Sequence, residues 1–421
     1  MWLKPPQRMR TISPPIARTR CLSCDTEGIK EILSLGSLPL PNAYPAAGAP
    51  EDEPRFPLEV AFCPACSLVQ LRHIVPPEHM FSEYLYFSSY SASMLRHAEA
   101  LASSLVTERR LGPDSLVVEI ASNDGYLLQY FQKAGVPVLG IEPAANIAAV
   151  ARDEKHIPTI VEFFGRDLAA RLVAEGTRAN VMLGLNVMAH VPDLNGFMSG
   201  IATMLAPGGV AVIEAPYVRD MVERTEFDTI YHEHLCYFSV HAVAALVRRH
   251  GLVLERVERV PIHGGSLRLF ISRGERHGDT TEQLLREEEA LGLTREGYYR
   301  DFRKAVERVR DDLNTTLNEL RASGKTIGAY GAAAKGSILL NYCGITPSTV
   351  SFVADRSPHK QGRRMPGCGI PVVGPQVITE RQPDYLLILI WNLKDEVVRQ
   401  EEAYHRRGGR FILAVPRLEL Q

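Results

Sequence analysis

Four cysteines near the N-terminus have the spacing of a metal site. Cys21 and Cys24 form one Cys-x-x-Cys pair, and Cys63 and Cys66 form another. The turn of each pair can aim two thiolates at one ion, and two pairs complete the tetrahedral set that holds structural zinc. Four protein ligands leave no open position, so the sequence predicts a zinc that stabilises its module and does not catalyse. Disulfides and unrelated thiols are the alternatives.

A second stretch predicts a cofactor loop. A buried strand runs through Glu119 into a turn with Ser122, Asp124 and Gly125, and the next strand ends at Glu142. The turn has one glycine where a dinucleotide-binding turn has three, and its two acids would repel a pyrophosphate. S-Adenosylmethionine fits better because its sulfonium and ammonium are positive, and Glu142 can accept hydrogen bonds from its ribose. The alternative is a generic α/β crossover whose acids occur there by chance.

Three further residues are candidates for cofactor binding. Asn186 follows an apolar run, at the carboxyl end of the predicted sheet where such ligands bind. Tyr90 and Ser93 belong to a run of aromatic and hydroxyl residues that also contains Tyr84 and Tyr86. This run is interpreted either as plain packing or as a lid over cofactor and substrate.

The densest polar and aromatic patch of the chain contains Tyr231, Glu233 and His234. Histidine has a reference pKa of about 6.5, so both protonation states are accessible near neutrality. A neighbouring carboxylate and phenol can orient it, so the patch predicts acid–base chemistry, with His190 on the same sheet edge. Metal ligation is a weaker alternative, because a metalloprotease helix needs two histidines four residues apart. Any one of these histidines could also be structural.

A glycine-rich turn in the C-terminal part of the chain is a candidate phosphate site. Gly328, Gly331 and Gly336 surround Lys335 after a predicted strand, so backbone N–H groups can approach phosphates there. Asp355 ends the next strand, where it could meet a ribose or sugar hydroxyl. The alternative is a Rossmann-like domain used only for packing.

The chain that positions these groups has 421 residues, 45% hydrophobic and 23% charged, with a formal net charge of −2. This composition argues against a disordered, collagenous or coiled-coil protein, and the length predicts two to three domains. The charge balance gives no field for nucleic acid or anionic lipid, and no apolar run is long enough to span a bilayer. The basic leader is broken by prolines and has no secretory core, so a cytoplasmic protein is expected.

Strand-like runs alternate with amphipathic stretches in two parts of the chain, which predicts parallel α/β sheets. The expected fold is α/β, with an N-terminal zinc-binding module, a central class I methyltransferase Rossmann-like domain and a C-terminal Rossmann-like α/β domain. The stretch between these two parts is predicted to be a helix, because its apolar residues step by three and four. Its position in the chain means that this helix would bridge the two domains. The predicted boundaries are 1–80 for leader and zinc module, 81–280 for the methyltransferase domain, 281–324 for the bridging helix and 325–421 for the last domain.

In their order, these motifs resemble the zinc-containing sugar C-methyltransferases, which alkylate C3 of dTDP-4-keto-deoxyhexoses on the way to branched antibiotic sugars. The resemblance covers nearly the whole chain. It rests on the paired cysteines, Glu-Ile-Ala-Ser-Asn-Asp-Gly125, Tyr231-His-Glu-His234, His263-Gly-Gly-Ser-Leu-Arg, Gly-Ala-Ala-Ala-Lys335-Gly and Leu-Asn341-Tyr-Cys-Gly. The longer leader and Cys236, where serine is expected, depart from the family pattern.

The resemblance implies an S-adenosylmethionine-dependent enzyme of deoxysugar and antibiotic biosynthesis that forms an enolate of a nucleotide-linked sugar. His234 is then the expected base, with Glu233 orienting it and Tyr231 or His190 donating to the ketone oxygen. The expected substrate-binding residues are Tyr84, Tyr86, His263, Lys335, Asn341 and Asp355.

Two other functions stay open at this point. An O- or N-methyltransferase would use the same scaffold on another polar, sugar-like metabolite. A zinc-ribbon binding protein with a degenerate methyltransferase domain would not bind the cofactor. The sugar, its C3 substituent, the stereochemistry and the oligomeric state, with a monomer as the working expectation, are not determined by the sequence.

Overall fold

The computed structural model describes residues 14–50, 52–76, 80 and 87–421. Tyr84 and Tyr86, two of the predicted substrate residues, lie outside the described residues.

The N-terminal module contains two small antiparallel sheets. The main sheet contains β2 (Lys30–Pro39), β3 (Arg55–Phe62) and β4 (Val69–Leu71), and the second is the pair formed by β1 (Ile16–Ala17) and β5 (His73–Ile74). In β3 the buried Phe56, Leu58 and Val60 alternate with the less buried Pro57 and Glu59, the period of a strand with one face on a core. The first cysteine pair precedes β2 and the second lies between β3 and β4, so the sheet brings the two pairs together.

The central domain is built on a seven-stranded sheet. Its part of the chain contains β6 (Val117–Ile120), β7 (Val138–Ile141), β8 (Thr159–Ile160), β9 (Ala179–Leu185), β10 (Leu205–Pro216), β11 (Cys236–Tyr237), β12 (Leu252–Val260) and β13 (Ser266–Arg273). The order is β12-β13-β10-β9-β6-β7-β8, and β13 runs antiparallel to both neighbours. This is the strand order of class I methyltransferases. The carboxyl ends of its parallel strands share one edge, where ligands of such sheets bind.

Helices connect these strands. They are α1 (Ala92–Glu108), α2 (Leu128–Lys133), α3 (Ala145–Asp153), α4 (Arg166–Ala174), α5 (Leu194–Met204), α6 (Val218–Glu223) and α7 (Val240–Arg248). In α1 the buried Met94, Ala98, Leu101 and Leu105 step by three and four, so one face packs on the core. The Ser91 hydroxyl accepts from the Met94 N–H and caps the start of this helix.

Strand β11 does not belong to the central sheet. It pairs with β4, with Cys236 opposite Gln70 and Tyr237 opposite Val69, and completes the sheet of the zinc module. Because β11 follows His234 almost directly, the two parts of the chain are interlocked across the boundary predicted at residue 80.

The predicted bridging helix over 281–324 is two helices. α8 (Asp279–Leu291) ends at Gly292 in the left-handed conformation, a 3-10 turn follows, and α9 (Phe302–Ala322) then begins. α9 buries Phe302, Val306, Leu313 and Leu317. The glycine C-cap ends the first helix, which apolar spacing alone does not reveal.

The C-terminal domain has a second, mostly parallel sheet. It contains β14 (Ile327–Tyr330), α10 (Ala334–Tyr342), β15 (Val353–Ala354), β16 (Val372–Val373), α11 (Gln376–Arg381), β17 (Tyr385–Ile388), α12 (Lys394–Gln400), α13 (Glu402–Arg406), β18 (Arg410–Leu413) and β19 (Glu419–Leu420). The order β16-β15-β14-β17-β18-β19 is that of a Rossmann-type sheet. The predicted α/β class with its zinc-binding module and methyltransferase sheet is confirmed. Among the described residues, no helix combines the length and apolar character needed to cross a membrane.

Candidate active site

The four predicted zinc ligands come together. The Sγ atoms of the four cysteines lie within 4.8 Å of one another, with Cys21–Cys66 at 3.5 Å and Cys24–Cys63 at 3.6 Å. Tetrahedral zinc with bonds of about 2.3 Å to sulfur requires separations close to these. The cluster therefore fits a structural zinc ion whose four positions are all filled by protein.

A cavity of about 1490 Å³ lies where the three parts of the chain meet. The zinc module contributes the wall from Leu40 to Tyr44, the central domain contributes the carboxyl edge of its sheet, and the C-terminal domain contributes the start of α10. The predicted residues that line it are Glu142, Asn186, His190, Tyr231, Glu233, His234, His263 and Lys335.

The cofactor loop follows β6 and has three left-handed residues at alternate positions. They are Ala121 (φ 53°), Asn123 (φ 51°) and Gly125 (φ 74°). Asn123 donates its N–H to Glu142 at 3.0 Å and accepts from the Ser88 N–H at 2.9 Å. The other oxygen of Glu142 accepts from the Ala144 N–H at 2.9 Å, so two backbone groups fix this carboxylate at the cavity.

Four loop residues predicted to bind the cofactor do not line the cavity. Glu119 and Asp124 are buried below the loop, where Asp124 lies 3.4 Å from Lys155 Nζ. Ser122 packs against Gly140, and a Cβ on Gly125 would lie 2.5 Å from Ile157. These residues shape the loop, while Ile120, Ala121, Asn123 and Tyr126 face the cavity.

Tyr90 and Ser93 also lie away from the cavity. Tyr90 is 63% exposed and its ring packs on Phe87, and the Ser93 hydroxyl lies 2.9 Å from that of Ser91. Ser88 and Met94 line the cavity in their place, because the 3-10 turn and the start of α1 present those positions.

His234 has a defined tautomer. Its Nδ1 lies 3.0 Å from the carbonyl oxygen of Thr229, which can only accept, so Nδ1 carries the hydrogen. Nε2 is then the acceptor for the Tyr231 hydroxyl at 2.6 Å. Burial lowers the pKa of His234 well below its usual value, followed by the effect of His190, so the ring is neutral at physiological pH.

His190 packs edge-on against His234, with ring centroids 4.8 Å apart. Burial lowers the pKa of His190 to about 4, against hydrogen bonds to the backbone of Glu233 and Asn186. Glu233 does not orient His234, because both nitrogens of that ring are already bonded. Its carboxylate instead accepts from Asn42 Nδ2 at 2.7 Å, and burial raises its pKa to about 7.

The loop that carries His232 and His234, called the histidine loop below, is held to the zinc module by contacts that include the following four. Besides Asn42–Glu233, His232 Nε2 donates to the Phe56 carbonyl at 3.1 Å and the Leu71 N–H donates to the Leu235 carbonyl at 2.9 Å. The fourth contact is the pairing of β11 with β4. The zinc module therefore positions the histidine loop.

Lys335 is a residue of the C-terminal domain that lines the cavity. Its ammonium donates to Asn392 Oδ1 at 2.9 Å and lies 4.4 Å from the Trp391 ring, whose N–H donates to Asp228 at 2.8 Å. Burial raises the pKa of Glu226 to about 8, with Asp228 adding to the effect. Burial also lowers the pKa of Lys335.

Lys360 is a second cation at the cavity that the sequence analysis missed. It donates to the Ala332 carbonyl at 2.6 Å and lies 5.3 Å from the ring of Tyr44, whose hydroxyl donates to the same carbonyl at 2.7 Å. Among the parts of the chain that the structure describes, Lys360 has no ion-pair partner. The sequence signal that could have indicated this residue is the run of basic residues that follows Asp355.

Asp355 and Asn341 are not on the cavity. Asp355 accepts from the backbone N–H groups of Ala332 and Ser357, at 2.7 and 2.8 Å, and so holds the glycine-rich turn. Asn341 donates to the carbonyls of Ser337 and Pro366, both at 2.8 Å. Both residues, predicted to contact the substrate, instead bond to the protein backbone. A position at the end of a strand does not by itself distinguish a ligand-binding residue from one that bonds to the backbone.

The sheet order, the cavity and the cysteine cluster define a class I methyltransferase with a zinc-binding module and an added C-terminal domain. Family models match a zinc binding domain over residues 21–81, a methyltransferase domain over 94–257 and a C-methyltransferase C-terminal domain over 261–416. C-methyltransferase NovU of Streptomyces niveus is 34% identical over 414 residues, 97% of each chain. The chain belongs to this C-methyltransferase family, and it is an S-adenosylmethionine-dependent C-methyltransferase with a zinc site.

Other similarities cover only part of the chain. Ubiquinone biosynthesis O-methyltransferase of Rhodopseudomonas palustris (strain BisA53) is 29% identical over 98 residues, 23% of this chain and 38% of that one. Magnesium protoporphyrin IX methyltransferase of Synechocystis PCC 6803, solved with bound SAM, aligns with a TM-score of 0.34 at 14% identity, over 43% of this chain and 79% of that one.

Proposed function

We propose that the enzyme methylates C3 of a nucleotide-linked 4-keto-deoxyhexose, in the assembly of a branched deoxysugar for an antibiotic. A C–H group beside a ketone is acidic only because its deprotonation gives an enolate, so the site needs a base near that proton. The main observation in support of this proposal is the tautomer of His234. The Thr229 carbonyl holds the ring hydrogen on Nδ1, which leaves Nε2 as the basic atom in the cavity.

The chain's own residues would generate and hold the nucleophilic carbon. His234 takes the C3 proton on Nε2, and the neighbouring Tyr231 and His190 close the cavity around it. Glu142 and the backbone of the cofactor loop hold the ribose end of the cofactor. Bound S-adenosylmethionine supplies the electrophilic methyl group.

The diphosphate is assigned to the C-terminal wall. Lys335 and Lys360 bring two cations to the cavity, and α10 begins there at Ala334 without a side-chain cap. Cations and free N–H groups at a helix start favour phosphate oxygens. The cavity volume exceeds the roughly 300 to 1000 Å³ of a typical ligand pocket, which suits a cofactor and a nucleotide sugar together.

The test offers dTDP-linked 4-keto-6-deoxyhexoses in D₂O, first without and then with methyl-labelled S-adenosylmethionine. Deuterium at C3, followed by a labelled methyl group on carbon, supports the proposal. Label on oxygen or nitrogen, or no transfer to any keto sugar, overturns it. For the diphosphate, Lys335→Ala and Lys360→Ala should raise KM at least tenfold, whereas Lys304→Ala, an exposed lysine on α9, should not.

A further inference from the structure

His263 occupies a strained turn at the cavity. The residue lies between β12 and β13 with φ 57° and ψ 20°, the left-handed conformation that residues other than glycine rarely adopt. Such backbone strain persists only where surrounding contacts hold it, and it is concentrated at functional sites.

The contacts that hold this turn come from two domains. The Gly265 N–H and the Ser266 hydroxyl both donate to the Ile262 carbonyl, at 3.0 and 3.1 Å. A side chain on Gly264 would collide with Trp391 of the C-terminal domain, since its Cβ would lie 2.4 Å from the indole ring. The backbone of the turn is therefore held against the wall that carries Lys335, and this fixes the point from which the His263 side chain enters the cavity.

The imidazole of His263 is available to bind a ligand in the cavity. It lines the cavity, and within residues 14–50, 52–76, 80 and 87–421 neither ring nitrogen has a hydrogen-bond partner. Burial, followed by the charge of Lys335, lowers its pKa to about 4. A neutral ring presents one N–H donor to whatever the cavity holds.

The other candidate donors are engaged. The Tyr231 hydroxyl donates to His234, and the His190 ring is bonded to backbone groups. We propose that the N–H of His263 donates to the ketone oxygen of the substrate and stabilises the charge that develops there. This inference rests on the proposed function.

The step is balanced within the site. Once the Tyr231 hydroxyl hydrogen has left Nε2 of His234, the C–H bond breaks and its proton moves to that nitrogen. The electron pair forms the carbon–carbon double bond and leaves the negative charge on the ketone oxygen, against the His263 N–H, which keeps its hydrogen. Bound S-adenosylmethionine would supply the methyl group to this carbon, with S-adenosylhomocysteine as the other product, and the carbonyl would re-form. A donor fixed in advance favours this charge without any rearrangement.

The experiment compares His263→Ala with His263→Asn. Asparagine tolerates the left-handed backbone and retains an N–H donor, so it should preserve the turn and part of the function. We expect His263→Ala to lower both C3 deuterium exchange and methyl transfer about 10²- to 10³-fold in kcat, with little change in KM. His263→Asn should recover part of that loss, and S-adenosylhomocysteine should bind all three proteins equally in calorimetry.

Three outcomes would overturn the inference. They are wild-type exchange in His263→Ala, a change confined to KM, and a loss of exchange in Lys335→Ala but not in His263→Ala. ¹⁵N NMR of histidine-labelled protein adds a readout independent of turnover, since the His263 signals should shift when a dTDP-linked 4-keto-6-deoxyhexose binds and not when dTDP alone binds. If the wild type neither exchanges nor methylates any keto sugar, the proposed function fails, which is a different result from an active wild type with an unimpaired His263→Ala.

Discussion

The Tyr231 hydroxyl donates to Nε2 of His234 over 2.6 Å, on the ring nitrogen opposite the one bound by the Thr229 carbonyl. Nε2 is the basic atom of the pair, and in this state it is occupied. A substrate proton can reach it only after the phenol hydrogen moves aside or is itself passed to the ring. The order of loss between variants of the two residues distinguishes these routes.

His234→Asn should lower kcat by about 10² to 10⁴, the usual contribution of a general base. Tyr231→Phe should lose far less, about tenfold, because it leaves Nε2 in place. The measurement is C3 deuterium exchange without methyl donor, with bound S-adenosylhomocysteine as the check of folding. Equal losses in the two variants would show that the phenol oxygen itself removes the proton.

The sequence located the histidine loop but not its internal contacts. The density of polar and aromatic residue types indicates the patch that contains Tyr231 and His234, and the family resemblance supplies their expected roles. The partner of Nδ1 is a backbone carbonyl, which carries no sequence signal, so the expectation that Glu233 orients His234 is wrong. Asn42 was missed because its function depends on a contact 191 positions away in the chain.

Asn42→Ala should lower kcat about tenfold while leaving S-adenosylhomocysteine binding unchanged. The substitution leaves the buried carboxylate of Glu233 without its donor, an arrangement that costs about 1–3 kcal/mol. The pKa of Glu233, already raised to about 7, should rise further, because the Asn42 hydrogen bond lowers it. The pH profile of kcat reports that shift.

Asn195→Ala is the matched control for Asn42. Asn195 also links the central domain to the zinc module, donating to the Ser23 carbonyl at 2.9 Å, but it does not line the cavity. Its variant should keep kcat and its pH profile. A similar loss in both variants would assign the effect to docking of the module and not to Glu233.

Removal of zinc should abolish turnover, because the zinc module holds the histidine loop in place. Cys66→Ser removes a ligand of the site just before β4, the strand that pairs with β11, and a strong chelator removes the ion itself. Because structural zinc contributes directly to folding, the melting temperature should fall together with zinc content and kcat. Cys343→Ser, a buried cysteine outside the cluster, should retain full zinc content. An active enzyme without zinc would contradict this coupling.

The fold was more predictable than its connections. Buried strands such as Val138–Ile141 have apolar runs with turn signals on both sides, and their positions follow from local sequence. β11 has only two residues and pairs with a strand more than 160 positions away, so no local pattern indicates it. The left-handed Ala121 was equally hidden, since its conformation is imposed by the loop and not by its residue type.

Acid should destabilise the protein through its buried histidines. Burial lowers the pKa of His232 to about 4, while in the unfolded chain the value is near 6.5. The unfolded state then binds protons first, so this stabilisation is present above pH 6.5 and is lost as the pH falls toward 4.

The test uses His232→Gln, because His232 lies outside the cavity and glutamine can still donate to the Phe56 carbonyl. Denaturant unfolding between pH 7 and 4.5 should show a smaller loss of stability in this variant. The raised pKa values of Glu226 and Glu233 act in the opposite sense over the same range, so the difference between variant and wild type is the quantity to compare. Parallel curves would contradict the assignment.

The cofactor loop yields a pair of substitutions with opposite expected signs. A left-handed residue other than glycine costs about 1–2 kcal/mol, and glycine in an unfolded chain costs about 0.5–1 kcal/mol more entropy than alanine. Ala121→Gly should therefore leave stability unchanged or raise it by up to about 1.5 kcal/mol. Gly125→Ala should lower it by about 1–3 kcal/mol, since the new Cβ would also lie 2.5 Å from the buried Ile157. Denaturant unfolding measures both, and calorimetry with S-adenosylhomocysteine should show binding retained in Ala121→Gly. Destabilisation by Ala121→Gly would mean that the alanine side chain, and not the backbone conformation, is what the loop requires at this position.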